Sequence, residues 1–386
     1  MDYRFKADEE AFRQEVKDFI RKELPPSIYK SSDAYTEENF EASMAFRRKL
    51  GTKGWIGIGW PKEYGGLGAS VIKQMLFHEE MIYHNAPLDP QAYQVGPAII
   101  HAGSEELKKR FLGATARQEI IWCQGFSEPN AGSDLASLQT RAVRDGDWYV
   151  INGDKIWTSY AHRATWIHLL ARTNPEVPKH KGISYFVLEM KTPGITVKPL
   201  INMAGDHDFN QVYFDNVRVP ASQMIGEENQ GWYIATVTLD NERSGIRDVA
   251  KARRQLDELT EALHDTSLRG IRHDDVTRHK VAELAIEVQT SQMLSYRVGW
   301  MQSVGQRPTR EASMAKLFAT ELQQRIARVA METTGLYGQL LSKSKYAIMH
   351  GLFPYHAVRS IPSTIAAGSS EVNRNIVAQR GLGLPR

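Results

Sequence analysis

The sequence predicts an α+β protein in which a middle β-domain separates two helical ones, and three observations carry that prediction. The first third holds apolar residues at helical spacing. Near residue 120 the pattern changes to short aromatic and β-branched runs broken by Asp-Gly and Asn-Gly. From about Gln230 long helical stripes return.

In the first third, Phe12, Val16, Phe19, Ile20 and Leu24 share one helical stripe, which Pro25-Pro26 stops. Phe40, Met44 and Leu50 mark a second helix, followed by the glycine-rich stretch from Gly54 to Gly68. Further helices are expected over about Ile72 to His84 and Ser104 to Leu112. In the middle, Asp145-Gly146 and Asn152-Gly153 read as turns between consecutive antiparallel strands. Trp166–Leu170, Ile183–Leu188 and Gln211–Phe214 continue the series, at a spacing that suits a small barrel or sandwich. In the last third, Val281, Leu284, Ala285 and Val288 form one stripe, and Met314, Leu317 and Leu322 lie in another. Their length and short connections predict an antiparallel bundle. The expected domains are 1–120, 121–228 and 229–386.

Length and composition set the function classes. At 386 residues, two or three folded units are expected. A formal net charge of +3, without a dense basic tract, disfavours nucleic acid as a partner. No run approaches the ~20 apolar residues of a membrane span, and the charged N-terminus lacks an apolar signal core. The single cysteine, Cys123, forbids an intrachain disulfide and a Cys-based zinc site. It is read as a buried small hydrophobe, and the chain as a cytoplasmic enzyme.

The most informative stretch is QGFSEPNAGSDLAS, Gln124 to Ser137. Its small residues and short hydroxyls can bring backbone N–H groups close to a flat heterocycle or a phosphate; a turn-rich linker has the same composition. Downstream, Lys155-Ile156-Trp157-Thr158-Ser159 sets an aromatic beside two hydroxyls in an expected strand. Trp157 either packs on a ring system or sits in the core on a β-face.

Together SEPNAGSD and GDKIWTS resemble the flavin-binding segments of the acyl-CoA dehydrogenases. Gly57-Ile58-Gly59-Trp60-Pro61, Tyr64-Gly65-Gly66, Phe214–Pro220, Gly226–Gly231 and Gly368–Arg374 extend the resemblance along the whole chain in order. The resemblance implies an N-terminal helical domain, a middle antiparallel β-barrel and a C-terminal four-helix bundle. It implies FAD as cofactor, with α-proton abstraction by a glutamate and β-hydride transfer to flavin N5. The thioester carbonyl would be polarised by hydrogen bonds, and a desolvated carboxylate suits the proton. Carried over residue by residue, Gln124, Phe126, Ser127, Ser133, Trp157, Thr158, Ser159, Ser369 and Glu371 belong to the cofactor site. Ser133 also stands near the CoA pantetheine, and Glu128 and Asp134 hold the loop's shape.

The sequence departs from the family pattern in three places. Many members carry the catalytic glutamate just before the Gly of the C-terminal motif, where this chain has Ala367. Leu239-Asp240-Asn241-Glu242-Arg243 instead matches the isovaleryl and long-chain arrangement, with the base on the first bundle helix. Glu242 is therefore the expected base, with Asp240 and Arg243 on the substrate side. The Arg-x-x-Phe-Gly stretch that grips FAD from a neighbouring subunit appears as Leu268–Asp275 without Phe-Gly. Gln-x-x-Gly-Gly appears as Glu332-Thr333-Thr334-Gly335-Leu336. With these losses, and with the stretches MAGDHDFNQVYFDNVRVP and LDNER, the chain resembles the two-chain enzymes of steroid side-chain and dicarboxylate catabolism. The losses leave either a homo-oligomer or a heterotetramer with a related subunit, and bulky or ω-functionalised acyl groups are favoured. An electron-transferring flavoprotein is the expected acceptor. The competing readings are a flavin oxidase on the same scaffold and a non-catalytic or FAD-sharing subunit.

Other chemistries lack their motifs. Twelve histidines include no His-x-x-x-His or His-Glu-x-x-His pair. Gly57-x-Gly59 lacks the third glycine of a dinucleotide fingerprint, and neither Gly-Lys-Ser/Thr nor Gly-x-Ser-x-Gly occurs.

Overall fold

The computed structural model of the chain describes residues 3–29, 38–240, 244–268 and 270–385; the side chains of 237–240 also lie outside that description. The elements in order are α1 (Ala7–Glu23), α2 (Pro26–Tyr29), α3 (Phe40–Thr52), α4 (Val71–Tyr83), α5 (Ala92–Ala102) and α6 (Glu105–Ala116). Strands β1 (Trp122–Gly125), β2 (Arg141–Asp145), β3 (Trp148–Lys155), β4 (Trp166–Arg172), β5 (Ile183–Glu189), β6 (Ile195–Leu200) and β7 (Phe209–Pro220) follow. The chain ends with α7 (Gly231–Asp240), α8 (Ile246–His264), α9 (Asp275–Ser303), α10 (Thr309–Thr334), α11 (Leu352–Ser360) and α12 (Ser370–Ile376). The order of helices, strands and helices is the one the sequence predicts.

The contacts gather these elements into two compact units that do not follow chain order. One holds α1, α2, α4 and α8–α12; the other holds α3, α5, α6, the sheet and α7.

In the first unit α8, α9 and α10 pack their apolar stripes together. Ala252 and Leu256 meet Leu284, Val288, Leu322 and Ile326 in one buried layer. Leu259, Ala262, Ala330 and Phe353 bring in α11, while Met75 of α4 joins Ile246, Val249, Tyr296 and Ala319. Local chemistry sets the helix starts. Ser70 accepts the Lys73 N–H at 3.3 Å to open α4, and Asp274 accepts the Thr277 N–H at 2.8 Å to open α9. Arg13 of α1 donates to Glu80 at 2.5 Å and Glu79 at 3.3 Å, and the Tyr296 hydroxyl donates to Glu79 at 2.8 Å. Two buried carboxylates on α4 are thereby paired rather than left bare.

In the second unit the seven strands run in the order β1-β4-β2-β3-β7-β6, with β5 also on β4. Its core is the inward face of these strands, including Tyr149, Ile151, Ile167, Leu169, Phe186, Leu188, Val212 and Val217. Cys123 lies in this core, its sulfur 3.7 Å from that of Met190. Two pairings differ from the antiparallel expectation: β1 and β2 each meet β4 in parallel. The loop after β1 and the β2–β3 hairpin intervene before β4, and that length of chain permits the parallel return.

Asp145-Gly146 turns the β2–β3 hairpin as expected. Asn152-Gly153 does not form a turn. Both residues lie within β3, where the register with β7 shifts between Ile151 and Gly153. Gly153 has φ +144°, and a Cβ there would stand 2.6 Å from Thr140 Oγ1 and 2.7 Å from its Cα. A β-bulge uses the same residue chemistry as a hairpin, which explains the misreading. Gly153→Ala is expected to destabilise the sheet by about 2–4 kcal/mol, read as a lowered thermal unfolding transition.

Candidate active site on the middle sheet

β1 ends at Gly125, and the loop it feeds is fixed from below by buried polar groups. The Phe126 ring turns inward, meeting His168 and Tyr185 edge-on with centroids 5.4 and 5.6 Å apart. His168 Nε2 lies 3.1 Å from Gln91 Oε1, so this nitrogen carries the proton. The Tyr185 hydroxyl then donates to Nδ1 at 2.7 Å. Burial pushes the His168 pKa down to about 3 and keeps the ring neutral.

Glu128 turns its carboxylate under the same loop. It accepts from the N–H groups of Gln139 at 2.6 Å and Thr140 at 2.9 Å, and from Lys155 Nζ at 2.7 Å. Lys155 is fully buried and also donates to the Phe126 carbonyl at 3.0 Å. Burial raises the Glu128 carboxyl, but Lys155 and the loop donors outweigh it and hold the group below the usual carboxylate range. Asp134 acts at the surface, where Lys179 donates to both its oxygens at 2.7–2.8 Å. Glu128 and Asp134 therefore shape the loop, as the motif implied.

The second motif is joined to the first by backbone. The Ile156 N–H donates to the Ser127 carbonyl at 2.9 Å. Beyond Lys155 the chain leaves the sheet, so Trp157, Thr158 and Ser159 lie past the strand expected to carry them. Trp157 has φ +59° and Tyr160 φ +55°, left-handed values that non-glycine residues rarely take and that break the ladder. Trp157 is 58% exposed and touches Phe209 edge-on at 5.7 Å, which rules out the core-tryptophan reading. Thr158 is buried, and its Oγ1 has no hydrogen-bond partner among the described residues. Ser159 is half-buried. The corner thus sets an exposed indole next in sequence to a buried hydroxyl that lacks a hydrogen-bond partner among the described residues.

The other expected site residues fall as follows. Gln124 is half-buried on β1, and its Nε2 bonds Gln94 Oε1 of α5. Ser133 is exposed on the loop. Ser369 caps α12 by accepting the Val372 N–H at 3.3 Å, and Glu371 is in the first turn of that helix. Glu371 lines a polar cavity of about 360 Å³ with Gln324, Arg325, Arg328, Ser370 and Arg374. Asp240 closes α7, with its side chain outside the described set; Glu242 and Arg243 lie outside the described residues, as does Arg269. Ala367 has φ +53° and Leu336 is 81% exposed. Lys155 and His168 stand inside stretches marked in the sequence, but neither is given a role there. A lysine inside a β-run was the available signal for the first, and nothing marked a role for the second.

Comparison with known proteins decides the family. Residues 6–119, 123–217 and 229–382 match the acyl-CoA dehydrogenase N-terminal, middle and C-terminal domains. The chain belongs to the acyl-CoA dehydrogenase family. It is 37% identical over 350 residues to acyl-CoA dehydrogenase FadE29 of Mycobacterium tuberculosis, covering 89% of each chain. The Tcur3481-Tcur3483 steroid ACAD structure matches with a TM-score of 0.91 at 32% identity over 100% of both chains. The ChsE4-ChsE5 complex from Mycobacterium tuberculosis matches at 0.89 and 33%, again over 100% of both. The family's architecture of helical, strand-rich and helical domains is the fold class the sequence predicts, and membership implies a flavin cofactor. Among the described residues no helix is long and apolar enough to cross a membrane, and no cluster of three or more His, Cys, Asp or Glu could hold a metal.

Proposed function

We propose that this acyl-CoA dehydrogenase oxidises the Cα–Cβ bond of an acyl-CoA thioester to the trans-2-enoyl-CoA, with FAD as cofactor and Glu242 as base. The observation that carries this is the corner at Trp157–Ser159, fastened to the Phe126–Glu128 loop and holding the unpartnered Thr158 Oγ1. In this reading Phe126 and Ser127 face the pyrimidine edge of the flavin through backbone N–H groups and the Ser127 hydroxyl. Trp157 packs on the ring system, and Thr158 and Ser159 bond near its reactive edge. Gln124, Ser369 and Glu371 complete the polar surroundings, and Ser133 stands near phosphate or pantetheine. Bound FAD supplies the hydride acceptor. Glu242 removes the α-proton, with Asp240 and Arg243 beside it on the substrate side. Domain limits at about 120 and 228, a cytoplasmic location and an electron-transferring flavoprotein as acceptor belong to the same reading.

A related subunit in a heterotetramer is part of the proposal. The similar Tcur and ChsE structures are named as two-component assemblies. Leu336, Leu341 and Tyr346 are 81%, 66% and 62% exposed on one stretch, an apolar surface that a partner chain would cover. The same stretch holds the leucine that replaces a glycine in the family's FAD-gripping motif, which favours a shared FAD.

The test is the visible spectrum of the purified chain, alone and with a related chain, followed by anaerobic mixing with acyl-CoA thioesters. Bound yellow flavin that bleaches with at least one short, long or ring-bearing thioester is expected. Flavin that no thioester bleaches in either preparation would refute the dehydrogenase reading.

A further inference from the structure

The Trp157–Tyr160 corner holds two left-handed non-glycine residues, a conformation that persists only when the surroundings over-determine it. Its supports come from the start of β7 and the residues just before it. The Thr158 N–H donates to the Asn210 carbonyl at 3.0 Å, and the Tyr160 N–H donates to the Asp208 carbonyl at 2.7 Å. Asn210 is fully buried, and its Nδ2 donates to the Thr158 carbonyl at 3.1 Å. Its side chain thus closes the pair that its backbone opens.

The other end of the amide faces two histidines. His162 and His207 stack with ring centroids 4.0 Å apart and planes 18° from parallel. His207 Nε2 lies 2.9 Å from Asn210 Oδ1. His162 Nδ1 lies 3.2 Å from Oδ1 and 3.1 Å from Nδ2, so distance does not choose between them. The guanidinium does: Arg163 Nε–H donates to His162 Nε2 at 3.3 Å, which requires a lone pair there and places the proton on Nδ1. His162 Nδ1–H and His207 Nε2–H therefore both donate to Oδ1, and Nδ2 is the atom turned to Thr158. The swapped amide would set Oδ1 against a carbonyl oxygen.

We propose that Asn210 is a positioning residue for the proposed flavin-facing corner: it ends a directed hydrogen-bond chain, Arg163 to His162 to Asn210 to the Thr158 carbonyl, that fixes how Trp157, Thr158 and Ser159 are presented. The catalytic consequence rests on the function proposed above; the clamp itself does not.

The test uses the full chain, flavin-loaded where turnover is read. Asn210→Asp keeps an acceptor for both imidazoles but removes the donor to Thr158 and opposes two oxygens. Hydrogen exchange over residues 157–164 is expected to quicken about fivefold to tenfold, the loss of one buried hydrogen bond, while β4 and β5 exchange as in the wild type. In the same protein kcat is expected to fall about tenfold or more, with KM within about twofold, because a displaced corner misaligns the reacting groups. His162→Phe, at an exposed position that leaves the sheet intact, is expected to change exchange in the same direction by about twofold to threefold. Wild-type exchange over 157–164 in both variants would overturn the clamp. Faster exchange with unchanged kcat would overturn the positioning role and leave Asn210 purely structural. If no thioester reduces even the wild type, the proposed function fails while the exchange result still decides the clamp.

Discussion

Glu242→Gln is expected to lower kcat by about 10³-fold or more while the flavin spectrum and the binding of a non-reducing acyl-CoA analogue stay as in the wild type. The amide keeps the shape of the carboxylate and its hydrogen-bonding reach but cannot accept the α-proton, and a positioned base contributes about 10²–10⁴-fold. The expectation follows from the substitution at Ala367, which leaves Glu242 as the match to a family base position. Stopped-flow reduction of the flavin separates the step from binding. A second variant sharpens the result. Ala367 already holds φ +53°, so Ala367→Glu adds a carboxylate without asking the backbone for a new conformation. Glu242→Gln/Ala367→Glu should regain a measurable part of the lost rate if the two positions serve one proton. Full turnover by Glu242→Gln would remove it from the mechanism and favour the reading of the chain as a subunit whose partner does the chemistry.

What could be read in the sequence follows from the range of the forces involved. Helices over Val71–Tyr83 and Glu105–Ala116 were legible because caps and apolar spacing are local: Ser70 and Ser104 each accept an N–H three residues on. The Asp145-Gly146 hairpin was legible for the same reason. Asn152-Gly153 was misread because the same dipeptide serves a bulge when a third strand, β7, lies alongside. The parallel pairing of β1 with β4 was hidden, since it joins residues more than forty positions apart. At the site, the motif named Phe126, Ser127 and Trp157 as expectations, and the structure joins their two stretches through the Ile156 N–H and the Ser127 carbonyl. The residues that hold them were not legible: Lys155, His168 and Asn210 act through burial and distant partners, and a single sequence displays neither. Trp157 illustrates the limit. The stretch Lys155–Ser159 is expected as a strand, whereas the exposure of Trp157 goes with a left-handed backbone that no local rule predicts for tryptophan.

Removing Glu128 is expected to be strongly destabilising, and it shows how stability and the shape of the loop after β1 share one ion pair. Glu128→Leu would strand the fully buried Lys155 ammonium and the N–H groups of Gln139 and Thr140, which have the carboxylate as acceptor. Breaking a buried pair from one side costs about 3–5 kcal/mol, so thermal unfolding should shift down by several degrees. Lys155→Met should cost less, because Glu128 would keep both amide donors. The Phe126 carbonyl loses its Lys155 bond in that variant, so flavin affinity should fall more than stability does. The pH dependence has a definite sign. The Glu128 carboxyl is held below its ordinary value of 4.5, so its contribution is complete above that pH and is lost as pH falls through the lower folded value. Below about pH 4.5 the wild type should therefore lose stability more steeply than Glu128→Gln, which has no such proton to take up. Parallel acid slopes for the two proteins would mean that Lys155 and the loop amides are not stabilising the ionised carboxylate, and the loop would need another explanation for its rigidity.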